Sequence, residues 1–96
     1  MTMNTNIQEA ITMIDNHDWF WRMADYGYEQ NYNAAKAGMR RFVKFVNTID
    51  NASVREMLRS LWTLRWEEAK NDINGRSNEE NQAKQEELMN ALALVA

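Results

Sequence analysis

The chain has 96 residues and a formal net charge of −3, with three Gly, one His and neither Cys nor Pro. That length suits one domain, 1–96, with a single modest core. The missing cysteines exclude a disulfide scaffold, a thiolate zinc site and a cysteine nucleophile, the lone histidine excludes multi-histidine metal sites, and the low Gly and Pro content argues against a turn-rich all-β fold.

The first predicted helix starts at Asn6, which with Glu9 fits the capping pattern that satisfies free N–H groups of an opening turn. Ile7, Ala10, Ile11 and Ile14 then recur at i, i+3, i+4 and i+7, one face of a helix about 10 residues long. Asp15-Asn16-His17-Asp18 is a polar interruption of the kind that stops one helix and caps the next.

The second helix is predicted over 18–48. Trp21, Tyr28, Tyr32, Ala35, Met39, Phe42, Val46 and Ile49 form a seam whose spacing alternates four and three from Tyr28 onward, the repeat of a helix packed along its length on other helices. Gly27 is the expected kink or break. Gly38, beside Ala34, Ala35 and Ala37, is expected to admit a neighbouring helix at close range.

Asp50-Asn51-Ala52 is the next turn, and Ser53-x-x-Glu56 reads as a capping box opening a third helix to about Asn74. Val54, Met57, Leu58, Leu61, Trp62, Ala69 and Ile73 are its inward residues, and Gly75 stands where a left-handed C-terminal cap is expected. Ser77-x-x-Glu80 reads as a second capping box. The fourth helix is polar to about Glu87 and apolar through Leu88, Met89, Leu92 and Val95, so its first half is expected to project from the core or fray. The predicted fold is therefore all-α, a small bundle of three main helices with a short N-terminal helix packed on them.

Six of the ten aromatic residues fall between Trp19 and Tyr32. Successive helical residues point about 100° apart, so Trp19, Phe20 and Trp21 cannot all face one neighbour. Either the chain folds back over the excess rings, or some of them meet another protein, where Trp, Tyr and Met are enriched. Trp19, Phe20, Trp21, Tyr26, Tyr28 and Trp66 are the candidate interface residues. Trp62, one turn from Trp66, is expected in the core, with Trp66 at a boundary or interface.

Charge is segregated along the chain. Residues 36–66 carry seven bases and two acids, whereas 1–35 and 67–96 are both acidic. Lys36, Arg40 and Lys44 share one helix face with Arg41 beside them, and Arg55, Arg59 and Arg65 follow on the third helix. A basic middle pairing with acidic flanks explains this internally. A phosphate-binding strip of Lys36, Arg40, Arg41, Lys44, Arg55 and Arg59 is the functional alternative, which the acidic pI of about 5.1 disfavours for nonspecific DNA binding.

His17 between Asp15 and Asp18 resembles a metal or acid–base cluster, but adjacent turn residues seldom converge on one ion, and capping explains both acids. Ser53 and Ser77 are expected caps, and Ser60 has no histidine to activate it. No metal site, cofactor motif or catalytic residue is read, and the protein is expected not to be an enzyme. The start of the chain has no basic segment followed by an apolar run, and no stretch approaches a membrane span, so a cytoplasmic protein is expected.

At His17-Asp18-Trp19-Phe20-Trp21-Arg22-Met23-Ala24-Asp25 and Ala37-Gly38-Met39-Arg40-Arg41-Phe42-Val43, the chain resembles short proteins of gut Bacteroidales genomes and their mobile elements. The likeness extends through Leu61-Trp62. It implies a bacterial, mobile-element or phage-linked setting and brings no activity, cofactor or site residue. The sequence thus leads to a non-enzymatic helical interaction module that binds a second copy or another protein, without a membrane. The alternative is a nucleic-acid-associated protein using the basic segment.

Overall fold

The structure is a computed structural model describing residues 4–17, 19 and 29–95, with 29–32 described by backbone alone. Among these residues there are four helices and no strand: α1 Thr5–Asn16, α2 Glu29–Val46, α3 Ala52–Ile73 and α4 Glu79–Ala93. The continuity of the second helix through Gly27 lies outside the described residues. α3 is the central element, packing on α1, α2 and most extensively α4, while α1 also packs on α2.

Ile7, Ala10 and Ile14 of α1, Phe42 and Val46 of α2, Val54, Leu58, Leu61 and Trp62 of α3, and Leu92 of α4 form the buried core. Ile49, in the turn after α2, plugs the same core. Each fully buried Leu, Ile or Phe removed from water contributes about 1.5–3 kcal/mol, the main term opposing the chain's conformational entropy. Two expected inward residues are not inside: Met39 and Ile73 are each 43 % exposed. At 100° per residue Met39 stands about 40–60° off the line of Ala35 and Phe42, at the edge of the packed face. Ile73 closes α3 at its final turn.

The caps of α1 and α3 stand two residues before the expected positions, and that of α4 one residue after. α1 is capped by Asn4, whose side chain accepts from the Asn6 N–H at 2.8 Å, two residues before the expected start. α3 is capped by Asn51, which accepts from the Val54 N–H at 3.0 Å, and Ser53 lies inside the helix. At α4 the Ser77 hydroxyl accepts from the Glu79 N–H at 3.2 Å, with Asn78 as the last residue before the helix. Gly75 is the expected left-handed cap, at φ 67°. The Arg76 N–H donates to the Asn71 carbonyl at 2.8 Å and the Gly75 N–H to Asp72 at 3.4 Å, closing the end of α3 in the Schellman pattern.

The polar first half of α4 is docked, contrary to the expected projection. Asn81 is buried, its amide donating to the Leu64 carbonyl at 2.9 Å. Gln85 donates to both Asn81 Oδ1, at 2.5 Å, and Glu68 Oε2, at 2.8 Å. Below them, Asn78 donates to Asp72 at 2.7 Å and accepts from Asn71 at 2.9 Å. Amides thus replace aliphatic side chains along this half of the α3–α4 contact, a substitution that works only when the buried groups find partners.

Candidate functional site

The exit of α1 is built from rings. His17 ends the helix in an extended conformation, its N–H reaching the Ile14 carbonyl at 3.3 Å. The Trp19 indole N–H donates to that same carbonyl at 2.8 Å, giving the oxygen a second and shorter partner at the helix end. Trp62 of α3 lies at the centre of the cluster. Its ring centroid is 4.7 Å from Trp19 in a T-shaped contact, 4.8 Å from His17, and 4.5 Å from Phe42 in a stacked one.

Trp19 is therefore half-buried and packed on the core, and Trp62 is a core residue as its spacing suggested. Phe20, Trp21, Tyr26 and Tyr28 lie outside the described residues. His17 serves as helix terminus and packing wedge. Gly38 admits a close neighbour, but the neighbour is the imidazole and not a helix: a Cβ at position 38 would stand 2.7 Å from His17 Cε1 and 2.8 Å from Nδ1.

Trp66, one turn beyond Trp62, is half-buried and shares a small cavity of about 110 Å³ with His17, Ala35, Lys36, Met39 and Trp62. That volume is well below the roughly 300 Å³ at which small-molecule pockets begin, so it can seat one side chain rather than a cofactor. From its mouth an apolar strip continues along α2 through Met39 to Val43, 37 % exposed. A larger and open groove of about 670 Å³ runs between α3 and α4, lined by Ser60, Thr63 and Glu67 on one side and Lys84, Glu87 and Leu88 on the other. Among the described residues, no group of three or more His, Asp or Glu is placed to hold a metal ion.

The basic residues divide into two sets. On α3, Arg55 donates to the Ile49 carbonyl at 2.5 Å, Arg59 donates to Asn47 Oδ1, and Arg65 pairs with Asp15 at 2.8 Å. The first two tie α3 to the turn that precedes it, and the third ties α3 to the end of α1. On α2, Arg40, Arg41 and Lys44 are exposed and form no ion pair among the described residues, while Lys36 is half-buried at the cavity. The structure thus separates the six candidate phosphate-binding residues into two struts, Arg55 and Arg59, a surface row of Arg40, Arg41 and Lys44, and Lys36 at the cavity. Helix length and hydropathy carry no signal for that division, because it depends on which acceptors of the turn, the Ile49 carbonyl and the Asn47 side chain, come to lie beside α3.

No described helix is long and apolar enough to cross a membrane. Comparison with protein-family models, curated proteins and solved structures gives no match to this chain.

Proposed function

We propose that this protein is a non-enzymatic helical interaction module that self-associates through the outer side of α2. The observation that carries the reading is the apolar strip of Met39 and Val43 leading into the cavity beside half-buried Trp66. Apolar residues exposed singly are ordinary, whereas a strip joined to a side-chain-sized cavity and an indole has the composition of an interface centre. Phe20, Trp21, Tyr26 and Tyr28, outside the described residues, remain interface candidates from the sequence alone. A cytoplasmic role as an accessory protein of a bacterial phage or mobile element accords with the motifs noted above.

The test is light scattering coupled to size exclusion across concentration. The wild-type mass is expected to rise with concentration, and Met39→Glu with Val43→Glu is expected to hold the protein at monomer mass with unchanged helicity by circular dichroism. A wild-type chain that stays monomeric to about 1 mM, where weak contacts of millimolar Kd would show, overturns the reading.

A second reading, nucleic-acid association, draws support from the exposed Arg40, Arg41 and Lys44, which form no ion pair among the described residues. With Arg55 and Arg59 engaged internally, it would rest on the α2 row alone. Retention on a DNA column that falls steeply with salt, and that vanishes with Arg40→Glu and Lys44→Glu, would favour it.

A further inference from the structure

The two outermost helices of the chain carry opposite charges that their packing does not bring to each other. α2 packs on α1 and α3 and exposes Arg40, Arg41 and Lys44, whereas α4 packs mainly on α3 and exposes Glu79, Glu86 and Glu87. Among the described residues, none of these six makes an ion pair within the chain.

Helical geometry groups them further. At 100° per residue, Glu79, Ala83, Glu86 and Asn90 form one stripe on α4, opposite the inward Asn81, Gln85, Leu88 and Leu92. On α2, Arg40 and Lys44 fall opposite the buried Ala35, Phe42 and Val46, with Met39 and Val43 at their flank. One face is cationic with an apolar margin. The other is anionic around an exposed alanine.

Building on the self-association proposed above, we infer that the outer face of α2 docks on the outer face of α4 of a second copy. Arg40 and Lys44 meet the carboxylates of Glu79 and Glu86, and Val43 packs at Ala83, whose small side chain lets the two helices approach. Complementary potentials of this kind select the partner and fix the orientation of docking. The two faces belong to different helices, so the contact is heterologous: each copy offers one face of each kind, and copies join into a ring or continue as a chain.

The experiment compares Arg40→Glu/Lys44→Glu with Glu79→Lys/Glu86→Lys, both at exposed positions and both checked for unchanged helicity. Each variant alone is expected to be monomeric by light scattering, because its two outer faces now share one sign. An equimolar mixture is expected to reassemble, since each variant supplies the charge that the other lost. Wild-type association is expected to weaken at least about tenfold between roughly 0.05 and 0.5 M NaCl, as exposed charges are screened.

Assembly of both variants at wild-type strength overturns this pairing, and the Met39→Glu/Val43→Glu result then judges the module reading separately. Loss of binding to a DNA duplex in the Arg40/Lys44 variant, with assembly unchanged, assigns the α2 row to nucleic acid and overturns the pairing too. A wild-type chain that never associates removes both proposals.

Discussion

A methyl group at position 38 has no room while His17 keeps its place. The imidazole is held by Trp19 and Trp62, at 4.5 and 4.8 Å between centroids, so it cannot swing aside without unpacking two indoles. Gly38→Ala is therefore expected to lower stability by about 1–2 kcal/mol in urea denaturation, with the overpacking outweighing the roughly 1 kcal/mol of helix propensity that alanine adds. The sign is expected to reverse in a His17→Ala background, where the same substitution keeps only the propensity gain. A double-mutant cycle over the two positions reads this directly, and additivity would refute the wedge. Trp62 is the other residue on which the corner depends. It touches three rings from two segments at 8 % exposure, and Trp62→Ala is expected to cost about 3–5 kcal/mol by thermal or denaturant unfolding.

At the scale of the helices, the caps make a sharp comparison. Asn51→Ala is expected to destabilise by about 1 kcal/mol, whereas Ser53→Ala is expected to leave the denaturation midpoint nearly unchanged, because only Asn51 holds an otherwise free N–H. The sequence showed that a helix begins here but misplaced the cap, since asparagines are frequent and the Ser-x-x-Glu spacing also matches one turn inside a helix. Four helices, their order, the left-handed Gly75 and the core position of Trp62 were legible because periodicity and glycine conformation are local properties. The docking of α4 was not, because hydropathy registers Asn81 and Gln85 as solvent-facing. Only their partners on α3, the Leu64 carbonyl and the Glu68 carboxylate, make them inward residues. For the same reason the inward turn of Trp19 was not readable: it depends on the Ile14 carbonyl at the end of α1 accepting its indole N–H. Asn81→Ala is expected to cost about 1–2 kcal/mol in urea denaturation, since removing one partner leaves the Gln85 amide with a single acceptor in a buried setting.

For the molecule as a whole, α4 is a structural necessity. It contributes the fully buried Leu92 and the half-buried Leu88 and Met89 to a core otherwise built from the preceding helices and the α2–α3 turn, with Val95 packing just beyond its end. A chain of this length has only about 5–14 kcal/mol of stability, and the burial of these four side chains amounts to a comparable quantity. Truncation after Gly75 is therefore expected to abolish cooperative unfolding, with loss of most of the helical dichroism signal at 222 nm; a truncated chain that melts in a single sharp transition would refute this. The amides between α3 and α4 also determine how the two helices are aligned lengthwise. Aliphatic side chains tolerate sliding by one turn with little loss, but the same slip here would carry Asn81 away from the Leu64 carbonyl and cost its buried amide that partner. Alternative alignments of the hairpin are thus penalised one hydrogen bond at a time, and a greasier seam would hold as firmly while permitting more than one way to close.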